Sequence, residues 1–164
     1  MSEASRTTKI VAASTAAAVA LALPVVMFFE GTVNRGYVDP VGIVTACTGS
    51  TYDMDGTRLT REDIGKPYTT AECTELLHRE MLKHAEALSC ITRPVSVYAQ
   101  AATISFAYNV GVGAACNSRY MKKLNTGDPT ACAELSRWTI AKGKELPGLV
   151  KRRAAERQLC ERQP

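Results

Sequence analysis

From Ile10 to Phe29 the chain runs for twenty residues without a charge. The pattern then changes abruptly. Between Glu30 and Gly49 the apolar residues fall into short β-prone pieces, Tyr37-Val38 and Ile43-Val44-Thr45. Gly31, Gly36, Asp39-Pro40 and Gly42 separate them and read as turns. Residues 50–67 are polar and turn-rich, with Asp55-Gly56, Gly65 and Lys66-Pro67. Helical spacing follows. Thr69-x-x-Glu72 is a capping-box signature, and Leu77, Met81, Ala85 and Leu88 share one face, which predicts a helix to about Leu88. Pro94 should open a long apolar helix to Asn109, with Gly111 and Gly113 as its stop. Asn117 or Ser118 can cap a short helix ending near Gly127. Asp128-Pro129 reads as N-cap and first turn of a further helix carrying Cys132 and Trp138, and the last helix runs from about Gly148 to Cys160. No internal repeat is present. The pattern predicts an α+β chain with a small antiparallel sheet lobe after Glu30 and a mainly helical lobe.

The uncharged run is long enough to cross a bilayer as a helix. Its composition is unusual for a membrane span, since seven of its twenty residues are Ala, with Ser14, Thr15 and Pro24 interspersed. Its nine Leu, Ile, Val and Phe residues supply roughly −3 to −5 kcal/mol of insertion energy, from which the polar and proline costs are subtracted. The segment is therefore marginal as a membrane span. A cleaved signal peptide, with sites at Ala18-x-Ala20 or Ala20-x-Ala22, and a permanent anchor are two readings. A third is a signal anchor that inserts and later leaves the bilayer. Arg6 and Lys9 before the run place the N-terminus in the cytoplasm. On this reading residues 1–29 are an anchor segment and residues 30–164 the working domain.

A net charge of +4 over 164 residues suits an anionic wall or membrane surface. Without an aromatic-interleaved basic stripe or zinc-finger spacing, it does not indicate nucleic acid. Lys151, Arg152, Arg153 and Arg157 on the last helix read as mainly a solvated face, with contact to anionic wall or lipid as the alternative. Tyr98, Ile104, Phe106 and Tyr108 read as core. His78 and His84 lack the spacing of a helical metal pair. The six cysteines, at 47, 73, 90, 116, 132 and 160, contain no CxxC and fit disulfides in an oxidising compartment. Fifteen pairings are open. The sequence-local set Cys47–Cys73, Cys90–Cys116 and Cys132–Cys160 is favoured because each bridge then ties neighbouring elements. The chain-entropy argument gives about 3–4 kcal/mol for each.

Candidate chemistry lies at the break in pattern. Glu30 directly follows Met27-Phe28-Phe29, and desolvation by those side chains would raise its carboxyl pKa. Asp39, on a polar turn, should stay ionised. Two carboxyls in contrasting surroundings can serve as acid and base. There is no GxSxG, HExxH or P-loop.

The arrangement Glu30-Gly31, Tyr37, Asp39, Gly42 and Thr45 resembles the phage-type lysozymes (endolysins, glycoside hydrolase family 24), whose mark is E, eight residues, D or C, five residues and T inside an EG…Y.D..G..T frame. Further resemblance lies in Phe106 to Gly111 (FAYNVG) and in Trp138, Gly143, Gly148, Leu149, Arg152, Arg153 and Glu156. It covers roughly Met27 to Cys160. Many members end the first motif in Gly-His, whereas this chain has Gly49-Ser50. The Ala-rich run is similar to that of the signal-anchor-release subgroup, which favours the third reading and implies a chain held first at the host inner membrane through residues 10–29 and then released into the periplasm. The resemblance implies a bilobed lysozyme-like fold, with Glu30 as general acid and Asp39 and Thr45 holding a water on the opposite face of the sugar. That favours inversion, for which carboxyls about 6.5–9.5 Å apart are needed. It implies peptidoglycan as substrate, cut between N-acetylmuramic acid and N-acetylglucosamine for host lysis, with no cofactor and no metal. A monomer is expected. A non-cleaving, membrane-tethered wall-binding protein of the same fold is the alternative.

Overall fold

The computed structural model describes the backbone of residues 3–162 and the side chains of residues 14–162. The chain divides into two compact units, one of residues up to Phe29 together with Met81 onwards, the other Glu30–Glu80.

The Glu30–Glu80 unit is built on an antiparallel pair, β1 (Val33–Val38) and β2 (Val44–Cys47). Their connection follows from local chemistry. Asp39, Pro40, Val41 and Gly42 form a turn closed by the Gly42 N–H on the Asp39 carbonyl at 3.0 Å, and Gly42 takes φ +88°. Asp first, Pro second and Gly fourth is the preference of a type I turn followed by a left-handed residue, a common three-residue hairpin. Tyr37 faces Thr45 and Val38 faces Val44. The register shifts between Val33 and Gly36, and the displaced segment pairs instead with residues 65–68. Gly36 donates to the Lys66 carbonyl and accepts from the Gly65 N–H, both at 2.9 Å. A Cβ on Gly36 would stand 2.0 Å from the Asp63 carbonyl oxygen, so this close approach requires glycine. A small core of Ala46, Cys47, Leu59, Tyr68, Cys73 and Leu76 sits beneath.

The helix α2 (Thr70–His84) begins as the capping box predicts: the Thr69 N–H donates to Glu72 Oε2 at 2.7 Å and the Glu72 N–H to Thr69 Oγ1 at 3.2 Å. It is shorter than the periodicity suggests, because residues 85–90 tighten into a 3-10 turn. Leu77, Met81 and Ala85 are nevertheless buried.

In the helical unit α3 (Val97–Val110) is buried on all sides through residues 101–107, as expected of a helix without a polar face. It starts at the Ser96 cap rather than at Pro94, because the Ser96 hydroxyl accepts the Ala99 N–H at 3.1 Å. Gly111 ends it at φ +90°, but Gly113 is not a stop: α4 (Val112–Asn117) begins at once. Ser118 caps α5 (Arg119–Thr126), which ends at left-handed Gly127, as the sequence predicts. The helix expected from Asp128 does not form. Asp128 Oδ1 accepts the Thr130 N–H at 2.8 Å, a local turn that competes with helix entry, and residues 132–137 form a 3-10 turn. A short hairpin follows, β3 (Ile140–Ala141) with β4 (Lys144–Glu145), and then α6 (Pro147–Cys160), which packs on α3. Ile104 and Phe106 are core, as predicted. The Phe106 ring lies edge-on to Tyr120 (5.9 Å) and Trp138 (5.2 Å). All three disulfides take the sequence-local pairing.

The first helix, α1 (Glu3–Glu30), includes the uncharged run. Ala18, Val19, Ala22 and Val26 are fully buried, a single stripe at helical spacing. Among the described residues no helix is long and apolar enough to cross a membrane. The side chains of Arg6 and Lys9, on which the orientation expectation rests, lie outside the described residues.

The reading of the last helix as a solvated basic face needs correction. Arg152 and Arg153 are buried and close on an equally buried Glu156. Arg152 Nε lies 3.2 Å from Glu156 Oε1, Arg153 Nε 3.1 Å from Oε2, and Ser105 donates to Oε1 at 2.7 Å. Burial pushes the Glu156 carboxyl up, against the pull of Arg153 and Arg152, and pushes the Arg153 guanidinium down to about 10, with Glu156 pulling it back up and Arg152 adding to the fall. Helical spacing is the reason: positions 152, 153 and 156 fall on the face of α6 turned to α3, while Lys151 and Arg157 stay exposed.

Candidate active site

The three residues singled out by the sequence all belong to the Glu30–Glu80 unit or its first position. Asp39 and Thr45 come together through the hairpin. The Asp39 N–H donates to the Ile43 carbonyl at 2.8 Å, placing Asp39 opposite Ile43, while Thr45 stands opposite Tyr37. Residues two apart share a face, so Asp39 and Thr45 are diagonal neighbours, typically about 7–8 Å apart.

Asp39 is held by its own turn. Its Oδ1 accepts the N–H groups of Val41 (2.9 Å) and Ile43 (2.8 Å). This leaves the carboxyl half-exposed but fixed in direction. Thr45 is buried, at 4% exposure, and among the described residues none hydrogen-bonds its Oγ1. Leaving a buried hydroxyl without a partner costs about 1–3 kcal/mol, so such a group fits a site that takes a polar guest.

Glu30 is the final residue of α1 and is exposed, with Phe28 beside it 78% exposed. The apolar enclosure expected from Met27-Phe28-Phe29 is therefore absent around it. Phe29 and Phe28 are rotated about 100° and 200° from Glu30 around the helix and do not cover it, and Met27, three residues back on the same side, is itself only half-buried.

Where the sequence departs from the Gly-His ending, Ser50 closes the turn. Its N–H and carbonyl both pair with Ala46, at 2.9 and 2.8 Å, and its hydroxyl donates to the Tyr52 carbonyl at 2.9 Å. Cys47, at φ +58°, and Gly49, at φ +93°, supply the left-handed steps. The bridge from Cys47 to Cys73 then fixes the end of β2 to α2.

A cluster that sequence reading did not find supports the same unit. Asp53 is buried, pairs with Lys66 Nζ, and accepts from the Tyr68 hydroxyl at 3.2 Å and the Met54 N–H at 2.7 Å. The Lys66 hydrogen bond holds the Asp53 carboxyl below its ordinary range. Burial, together with the Asp53 charge, pushes the Tyr68 phenol up to about 12. The three lie up to fifteen residues apart in polar stretches without periodicity, so nothing in the sequence joins them. Among the described residues no group of three or more His, Cys, Asp or Glu could hold a metal ion.

The sequence model of the phage lysozymes matches residues 27–156. The chain belongs to the phage lysozyme family. It is 38% identical over 135 residues to a SAR-endolysin of Bacteriophage PS119, covering 80% of this chain and 75% of the relative. A SAR-endolysin of Enterobacteria phage PA-2 matches at 38% over 135 residues, covering 80% and 76%. The solved endolysin from Escherichia coli O157:H7 phage FAHEc1 superposes with a TM-score of 0.73 at 26% identity, covering 86% of this chain and 90% of that one. The fold is lysozyme-like and mainly helical with a small antiparallel sheet, and the family is one of lysozyme-type glycoside hydrolases.

Proposed function

We propose that this phage lysozyme hydrolyses peptidoglycan between N-acetylmuramic acid and N-acetylglucosamine, causing host lysis. Glu30 protonates the leaving oxygen, and Asp39 with Thr45 positions and activates the attacking water. The observation that carries this reading is the hairpin face. It sets a direction-locked Asp39 carboxyl beside a buried Thr45 hydroxyl that has no partner among the described residues. Attack by a water held there on the face opposite the acid gives inversion. No cofactor takes part.

The anchor reading remains part of the proposal. Residues 1–29 first tether residues 30–164 to the host inner membrane, with the N-terminus cytoplasmic, and then leave the bilayer so that the chain acts in the periplasm as a monomer. Two observations support this reading: the marginal apolarity of the 10–29 run, and the burial of Ala18, Val19, Ala22 and Val26 within the protein. Relatives named SAR-endolysin agree with it.

The test is clearing of purified cell wall by the full chain. Glu30→Gln should fold yet lose about a hundredfold or more in rate, because an amide cannot donate the carboxyl proton. Thr45→Ala should lose rate through a misplaced water, and the first-formed sugar anomer should be the inverted one. Wild-type clearing by folded Glu30→Gln would remove the acid assignment. Wall binding without cleavage by the wild type would establish the non-hydrolytic alternative. For the tether, membrane and soluble fractions are followed before and after an uncoupler is added. Uncleaved protein should move to the soluble fraction, whereas a product starting near Leu23 would reveal a signal peptide.

A further inference from the structure

The hairpin that carries Asp39 and Thr45 has few pairings of its own. Beyond the turn, β1 and β2 stay in register at Val38–Val44, Tyr37–Thr45 and Gly36–Ala46, and the ladder shifts between Gly36 and Val33. A slip of one residue would turn Asp39 and Thr45 to opposite faces, because side chains alternate along a strand. A ladder this short needs its register set from outside the pair.

On the β1 side the support is the segment 65–68. Gly36 exchanges two backbone bonds with Lys66 and Gly65, both at 2.9 Å. Asn34 makes two bonds to Tyr68: its carbonyl accepts the Tyr68 N–H at 3.0 Å, and its side-chain amide donates to the Tyr68 carbonyl at 3.2 Å. On the β2 side the chain leaves through Ser50, which pairs with Ala46, and reaches Asp53 three residues later. Asp53 closes the circuit. One oxygen of its buried carboxylate pairs with the Lys66 ammonium, and the other accepts from the Tyr68 hydroxyl. The two residues that Asp53 holds by their side chains are therefore two that hold β1 by their backbones. Asp53 is itself fixed in place: its N–H donates to the Thr57 carbonyl at 2.8 Å, and its Oδ1 accepts the Met54 N–H at 2.7 Å. Burial alone requires only that the carboxylate be paired. It does not require both side-chain partners to lie on the segment against β1.

We infer that Asp53 is a positioning residue for Asp39 and Thr45: through Lys66 and Tyr68 it fixes β1 against β2, and so fixes the placement of the two groups on the hairpin face. The inference rests on the water-holding role proposed for that pair. Asp53 acts through these bonds and not on the substrate, so its effect belongs to turnover and not to binding.

The experiment uses the purified full chain on solubilised peptidoglycan strands. It measures kcat, KM and thermal midpoint for Asp53→Asn, Lys66→Met, Lys66→Arg and the Asp53→Asn/Lys66→Met pair, at a temperature where each is fully folded. Asparagine keeps the shape at position 53 but loses the charge that holds Lys66. Asp53→Asn should lower kcat about tenfold with KM within about twofold, as displaced catalytic groups do. Lys66→Met should resemble it, and Lys66→Arg, which keeps the cation, should restore most of the rate. The double variant should be no slower than the slower single one, since both break the same link. The Gly36 N–H, bonded to the Lys66 carbonyl, should exchange faster in both single variants. Wild-type kcat in folded Asp53→Asn or Lys66→Met, a loss confined to KM, or losses that multiply in the pair would overturn the inference. If Asp53→Asn does not fold, Lys66→Met decides it alone, because the Lys66 side chain is 44% exposed and its replacement leaves the core intact. Asp39→Asn is measured alongside. If it retains turnover, the role proposed for the hairpin face fails, whereas an inactive Asp39→Asn beside fully active Asp53→Asn and Lys66→Met rejects the positioning role only.

Discussion

In the helical unit, α3 buries seven consecutive residues and α6 turns two arginines and a glutamate inward. In the Glu30–Glu80 unit, β1 buries a single residue, Gly36. The first unit is stabilised by packing and by a desolvated ion cluster. The second depends on turns, one disulfide, a close glycine contact and the Asp53–Lys66–Tyr68 hydrogen bonds, over a six-residue core. On the function proposed for this chain, the contrast has a functional sense. A group meant to engage water and sugar must keep unsatisfied polar atoms near solvent, which a close-packed helix layer excludes. A small turn-rich unit tolerates a half-exposed Asp39 and a Thr45 hydroxyl without a partner among the described residues, provided that other bonds keep the hairpin in place.

The largest expected effect falls on the helical unit. Glu156→Ala leaves Arg152 and Arg153 buried without their carboxylate and should cost about 3–5 kcal/mol in urea unfolding. A loss below about 1 kcal/mol would show that the cluster is solvated in solution.

Gly36→Ala strikes the other unit. The added methyl meets the Asp63 carbonyl oxygen, so the 36–66 pairing must open, at about 1–3 kcal/mol. Gly36 pairs with Ala46, next to Thr45, so wall clearing should fall more steeply than global stability. Hydrogen exchange should quicken in residues 33–47 and remain unchanged in α3. Uniform acceleration across both units would contradict their separate means of stabilisation.

The smallest effect at neutral pH is that of Tyr68→Phe, and pH brings it out. Tyr68 stays neutral in the folded chain up to about 12 against an ordinary 10.0. The folded state therefore holds a proton that the unfolded state has lost between those values. The associated stability, on the order of 2–3 kcal/mol, is complete below about 10 and disappears as pH rises towards about 12. Lys66, whose pKa is raised chiefly by its hydrogen bond to Asp53, acts in the same direction. Asp53, held low, acts at the acid end: its contribution is present above the ordinary carboxylate range and is lost as pH falls through its depressed pKa. Tyr68→Phe should cost about 1 kcal/mol at neutral pH through the lost hydrogen bond and should flatten the alkaline limb. An unchanged alkaline limb would remove Tyr68 as its cause.

Much of this molecule follows from rules that act within a few residues of chain. Thr69 with Glu72, Ser118 with Gly127, and Asp39-Pro40-Val41-Gly42 each specify a helix start, a helix with its end, or a hairpin, because capping and turn bonds close locally. The spacing of Glu30, Asp39 and Thr45 identified the family, since a hairpin of fixed length puts positions 39 and 45 on one face. The cysteine pairing was legible because sequence-adjacent elements tend to be neighbours in space. Where two local signals competed, sequence erred. Asp128 could cap a helix or close a turn on Thr130, and Pro94 competed with Ser96 for the start of α3.

What only the tertiary structure decided depends on which elements close over one another. A run of Lys151, Arg152, Arg153 and Arg157 looks uniform in sequence, yet α3 covers two of the four and leaves the others in water. Asp53, Lys66 and Tyr68 are joined by loops whose course no periodicity encodes. Glu30 follows three apolar residues, yet Phe28 and Phe29 lie on other sides of the helix and Glu30 is left exposed. In each case the deciding quantity is loss of solvent, which belongs to the packed chain as a whole and cannot be assigned to a residue from its neighbours in sequence.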